Sequence, residues 1–213
     1  MTKLRNATGV GFLLFVATLI GGPVGTSRAQ AGDGGGATLA SLAGKFETKG
    51  SGSETVCFNQ SFTEAVVCAS APHQVQFKLT AVAHNVRDAA GNSCGVTSVS
   101  SALTDAAVAV YAAKFPNRTN VHRTNVSTTT SFDPKTGSGT ASFRQYLGGS
   151  CIGAGFDSTG AVLTLTGTQS FMVSDSGNRI KWILTSSSAV AGAFDSDVMT
   201  GLMFSSTSIR QSD

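Results

Sequence analysis

Residues 74–86, QVQFKLTAVAHNV, alternate with a period of two. Val75, Phe77, Leu79, Ala81 and Ala83 are apolar; Gln74, Gln76, Lys78 and Thr80 between them are polar. This predicts a strand with one buried face. Further along, FMVSDSGNRIKWILTS (Phe171 to Ser186) sets two apolar-rich runs on either side of Asp175-Ser176-Gly177-Asn178, the signature of a hairpin. Ile180, Trp182 and Leu184 share a face of its second arm. In the first arm, Leu163, Leu165, Phe171 and Val173 share a face that Gly167 interrupts, which predicts a bend or bulge.

Other stretches read as strands too. The first lies near Gly44 to Thr48, and Cys57-Phe58 and FTEAVVC (Phe62 to Cys68) follow as short ones. CGVTSVS, the Thr-rich NVHRTNVSTTTSF, GTASFRQYL and the closing GLMFSSTSIRQ complete the set. Four turns share one chemistry, Asp88–Gly91, Asp133–Gly137, Asp157–Gly160 and Asp175–Gly177. Asp can accept a hydrogen bond from the backbone two residues on, and Gly takes the left-handed position. Residues 101–115 fit two templates: alanine density favours a short helix near 103–114, and Val108/Val110 alternation favours strand. Pro116 ends the element either way. The fold class is therefore all-β, an antiparallel barrel of about eight to ten strands, with a β-sandwich as runner-up. Closure is favoured because it removes exposed strand edges.

The N-terminus departs from this pattern. Lys3 and Arg5 precede the apolar run Gly9–Ile20, then Gly21-Gly22-Pro23, then the small-residue site Ala29-Gln30-Ala31. This is the layout of a secretory signal cleaved near Ala31. As a helix the apolar run spans roughly 18 Å, too short for a ~30 Å hydrocarbon core. The expected organisation is signal peptide 1–31, flexible leader 32–40 and β-barrel domain 41–213. Cleavage removes Lys3, Arg5 and Arg28 and leaves 12 basic against 12 acidic residues. The formal charge of +3 belongs to the signal. The mature chain carries no electrostatic footprint for nucleic acid. Arg118, His122 and Arg123 form its one local basic cluster, which reads as a solvated loop.

An exported chain with four cysteines points to two disulfides in an oxidising compartment. Of three pairings, Cys57–Cys68 and Cys94–Cys151 are favoured. The first closes a short loop across adjacent strands. The second ties the ends of the long middle segment. No C-x2-C or Cys/His pair has metal-ligand spacing.

The segment LAGKF, Leu42 to Phe46, stands where lipocalins carry a Gly-x-Trp motif, with Phe46 replacing the Trp. Arg210 on the last strand matches the arginine that packs over that aromatic. On these residues the chain resembles small exported bacterial β-barrels of broadly lipocalin or allene-oxide-cyclase type. It lacks a Thr-Asp-Tyr motif before a late strand, and the resemblance implies no particular reaction.

Candidate chemistry is sparse. No P-loop or dinucleotide turn is present, and Gly148–Gly153 (GGSCIG) fails as a nucleophile elbow because Ile152 occupies the final glycine position. Glu47, Glu54 and Glu64 are the carboxylates outside turns, and Glu47 and Glu64 are the candidates for a barrel-mouth acid or base. No catalytic residue, metal or cofactor is assigned. Phe46, Phe77, Phe143, Phe171, Trp182 and Phe204 lie on separate strands and either fill the barrel or line a cavity for a small apolar molecule. The expected function is an exported non-enzymatic barrel, a binder of such a molecule or a structural module. The alternatives are a cyclase- or isomerase-like barrel-mouth enzyme and a surface adhesion module. No stable membrane insertion is expected, since aromatic girdles are poor. Asn59, Asn117 and Asn125 begin N-x-S/T sequons.

Overall fold

The computed structural model describes residues 37–61, 66–103, 121–190 and 199–212. Ten strands follow in chain order: β1 Gly44–Phe58, β2 His73–Arg87, β3 Asn92–Leu103, β4 Val121–Asp133, β5 Ser138–Leu147, β6 Ser150–Ile152, β7 Gly155–Asp157, β8 Val162–Ser174, β9 Arg179–Ala189 and β10 Met199–Arg210. Eight of them close into one barrel in which each strand runs antiparallel to its neighbours, and β10 returns to pair with β1. β6 and β7 form a separate small hairpin inserted between β5 and β8. Closure decides between the two expected architectures in favour of the barrel. No helix of seven or more residues occurs among the described residues. The signal segment lies outside the described residues, and so does the helix expected near 103–114, beyond the last residue of β3.

The β2 alternation holds. Val75, Phe77, Leu79, Ala81 and Ala83 are buried, and the polar residues between them are exposed. The hairpin Phe171–Ser186 is β8–β9, with Phe171 opposite Trp182. β1 is longer than the sequence suggests, one continuous strand rather than two short pieces. Its Ser/Gly-rich middle looks like a break but serves packing. A Cβ on Gly52 would lie 2.8 Å from the Phe204 ring, and one on Gly167 would lie 2.5 Å from the Phe143 ring. Each glycine sits opposite its phenylalanine across a strand pair and leaves room for the ring. The bulge expected at Gly167 falls next to it, between Thr168 and Gln169. The strand expected over Phe62–Cys68 is not found at its described end, where Cys68–Ser70 form a 3-10 turn.

One end of the barrel is sealed. A 3-10 turn, Ala40–Leu42, crosses it ahead of β1. Leu42 is fully buried among Phe46, Ala141, Phe171, Ile180 and Trp182, with Leu39, Phe132 and Val173 around them. Leu39 packs against this cluster, and Ala40 is exposed. Arg210 straps this turn down. Its guanidinium lies 5.1 Å from the centroid of the Phe46 ring. Its Nη1 donates to the Ala43 carbonyl at 2.6 Å, and its Nη2 donates to the Ser41 carbonyl.

The Asp turns work as their chemistry predicts. Asp88 accepts from the Ala90 amide at 3.0 Å, Asp133 from Lys135 at 2.9 Å and Asp157 from Thr159 at 3.0 Å. These bonds favour the carboxylate form. The Asn92 side chain, the Lys135 amide and the Thr159 amide are the leading partners that hold the three groups below the ordinary carboxyl range. The fourth turn differs: Asp175 and Ser176 themselves take positive φ, 55° and 54°, ahead of Gly177.

The disulfides are Cys57–Cys68 and Cys94–Cys151, the favoured pairing. The second pins the β6–β7 hairpin against the outer face of β3, where Tyr146 and Phe156 pack with ring centroids 4.5 Å apart. Cys94 points outward yet is buried, because the hairpin covers it.

Candidate functional site

Above the sealed end the barrel is hollow, with a cavity of about 400 Å³. Strand parity decides what faces it. β2 turns Leu79, Ala81, Ala83, Asn85 and Arg87 inward; β4 turns in Arg123, Asn125 and Ser127. Of the six candidate aromatics, Phe46, Phe143, Trp182 and Phe204 line the cavity. Phe171 and Phe77 do not. Phe171 lies in the sealed end between Phe132 and Trp182, at centroid distances of 6.0 and 4.8 Å. Phe77 packs on Phe58 at 6.5 Å.

Between these apolar side chains the wall is polar, and most of that polarity is internally satisfied. One hydrogen-bonded chain crosses β9, β10, β1 and β2. Trp182 Nε1 donates to Ser208 Oγ at 3.0 Å, Ser208 and Thr48 share a hydroxyl bond of 2.7 Å, and Asn85 Nδ2 donates to Thr48 Oγ1 at 2.8 Å. A second chain crosses β3, β4 and β5, where Asn125 Nδ2 donates to Thr97 Oγ1 and Gln145 Nε2 donates to Asn125 Oδ1 at 3.1 Å. Gly95 separates the two chains, and its missing side chain is the space that Asn85 occupies. Buried amides and hydroxyls paired in this way fix the inner surface without an apolar core.

Arg87 is 5% exposed, and its guanidinium lies 4.9 Å from the Trp182 ring centroid and 5.8 Å from that of Phe171. Burial lowers its pKa to about 10, with the nearby Asp88 charge opposing the change. It stays protonated at neutral pH. Arg123, expected in a solvated loop, is instead on β4, buried at 8% exposure and facing the cavity. Its neighbour His122 is exposed, and Arg118 lies outside the described residues.

The carboxylates fall differently from expectation. Glu47 points out of the barrel and pairs with Lys49 at 3.0 Å. Glu64 lies outside the described residues. Glu54 is the carboxylate on the cavity wall. Among the described residues no three His, Cys, Asp or Glu converge as a metal site. Asn125, a sequon asparagine, faces the interior.

The wall has a seam. The β9–β10 ladder runs only from Arg179↔Ile209 to Ile183↔Ser205. Beyond it β9 continues against β8 as far as Ala189, and β10 against β1 as far as Met199. Leu184, Ala189, Gly201 and Leu202 flank this split and line the cavity.

Sequence reasoning missed the polar inner surface. The signal was there in β2, where the parity that buries Val75 to Ala83 continues to Asn85 and Arg87. Comparison with family models, curated proteins and solved structures returned no match for this chain.

Proposed function

We propose that this chain is an exported bacterial, non-catalytic β-barrel whose interior holds one small molecule with a largely apolar body. The observation that carries the reading is the cavity. At about 400 Å³ it exceeds the ~300 Å³ at which ligand pockets begin, and aromatic and aliphatic walls alternate in it with fixed polar groups. The seam between β9 and β10 offers a way in. Export rests on the N-terminal pattern of charge, apolar run and small-residue site, and two disulfides suit an oxidising compartment. Arg210 over Phe46 supports the lipocalin-type resemblance, since that contact is the one the two short motifs imply.

The enzyme reading has weaker support. Of its two carboxylates, Glu47 faces outside. An adhesion module needs a long free edge, and among the described residues the free edges are the short seam and the three-residue strands β6 and β7. A membrane-spanning barrel needs an outward apolar band, whereas exposed Lys49, Lys78, Arg144 and Lys181 stand on the outer face of its strands.

Native mass spectrometry of the protein from its own host, before and after unfolding, tests the reading. A bound small molecule released on unfolding is expected. A protein that stays bare, and that also takes up no hydrophobic probe when titrated, overturns it.

A further inference from the structure

Arg87 combines burial, charge and an unfilled hydrogen bond. It closes β2 in the inward register and lines the cavity. Its Nη1 is buried and has no hydrogen-bond partner among the described residues. The carboxylate beside it in sequence does not supply one. Asp88 is turned to solvent and occupied by the Ala90 and Asn92 amides and the Asn92 side chain. The two rings near the guanidinium contribute cation–π attraction but accept no conventional hydrogen bond. A buried cation with an idle donor is costly, and such groups are normally paired. Nη1 itself has no open face, but the Arg87 side chain lines a hollow into which a small turn of the guanidinium would bring it.

The charge inside sets what the partner must be. Among the described residues the ionisable side chains on the wall are Arg87, Arg123 and Glu54. Arg123 and Glu54 each have interactions of their own and offset each other in formal charge. Among the described wall residues Arg87 leaves one positive charge without a counterpart inside the cavity, and Asp88 acts on it from outside the lining. A dianion would reverse the imbalance rather than remove it.

We propose that the cavity takes an organic monoanion, a carboxylate with an apolar body. The carboxylate accepts from the Arg87 guanidinium at the sealed end, which turns slightly to present Nη1. The body lies toward the open end, against Leu79, Ala83, Phe143 and Phe204. This rests on the reading of the barrel as a ligand container and adds the charge of the ligand and its orientation.

Trp182 is the only tryptophan in the chain and lies beside Arg87, so its fluorescence reports on this site alone. The test titrates the folded protein with decanoate and with decanol, which share a body and differ in the charged head, with calorimetry alongside. Decanoate is expected to bind about tenfold more tightly or better, the size of a charge-assisted hydrogen bond. Arg87→Met should erase that preference, with decanoate affinity falling by far more than decanol affinity changes, and Arg87→Lys should restore part of it. Without ligand, Arg87→Met should melt at higher temperature, because it removes an unpaired buried charge. Equal affinity for decanoate and decanol in the unmodified protein, or a preference that survives Arg87→Met, overturns the inference and leaves the container standing. Binding of neither probe overturns both. Should Arg87→Met not fold, the decanoate–decanol difference in the unmodified protein and in Arg87→Lys decides.

Discussion

At the end where β2 turns into β3, β4 into β5 and β8 into β9, the connections are four residues each. An apolar cluster closes that end, and Arg210 straps the 3-10 turn across it. At the opposite end the connections run from nine to seventeen residues. There the β9–β10 ladder has stopped. The described part of that end is held by buried Phe58, Val75 and Phe77 and by the Cys57–Cys68 bridge from β1 to the segment before β2. The difference teaches how one small barrel can be both stable and hollow. The larger apolar cluster sits at one end, side-chain hydrogen bonds line the middle, and a disulfide with a smaller Phe58–Phe77 contact limits the freedom of the far end. Long connections on a rigid scaffold are where binding surfaces are commonly carried.

The sharpest way to break this contrast is to truncate one apolar residue at each end. Trp182→Ala should cost about 3–5 kcal/mol in chemical denaturation, the usual range for an aromatic deleted from a packed core. Leu202→Ala, on the cavity wall beside the seam, should cost under about 1 kcal/mol, because its side chain borders a space that is already empty. Similar losses at both sites would mean that the barrel is packed throughout.

Replacing Cys57 and Cys68 together by alanine should cost about 3 kcal/mol or less, the chain-entropy value for a loop of this length. Hydrogen exchange should show the loss of protection near Phe58 and His73, with the amides around Leu42 and Trp182 unchanged relative to global unfolding. Loosening that spreads evenly over the barrel would remove the distinction between the ends.

The smallest effect expected is on pH. Asp88 and Asp133 stand in sealed-end turns with carboxyl pKa values held below their unfolded value of 3.8. For depressed carboxyls the stabilisation is complete above the unfolded pKa and is lost as pH falls through the folded one. The denaturation midpoint should therefore fall in acid below about pH 4. Asp133→Asn should flatten that limb. An acid limb that is unaltered in Asp133→Asn would assign it to other groups.

How much of this was legible in the sequence follows the same division. The sealed end was readable because its signals are local. Asp–Gly turns, β2 alternation and the Phe171–Ser186 hairpin each declare themselves within a few residues. The cysteine pairing followed from loop lengths. The hollow was not readable, because strand parity shows which face is buried only when the two faces differ in polarity. In β4, inward Arg123, Asn125 and Ser127 alternate with outward His122, Thr124 and Thr128, so both faces read as surface. Arg87 lies just past the strand read over 74–86, next to Asp88 of the turn. Gly50 and Gly52 looked like a break in β1 because the ring that needs their space, Phe204, is more than 150 positions away in sequence.

The central claim is that the barrel holds a space rather than a core, and filling that space tests it most directly. Ala83 is buried on the wall and borders the cavity. Ala83→Phe should leave the unfolding free energy unchanged or raise it, since the ring enters empty volume and gains apolar burial. The same variant should lose decanol binding. A loss of about 1–3 kcal/mol or more, the usual effect of overpacking a full interior, would contradict the account and leave a filled barrel in its place.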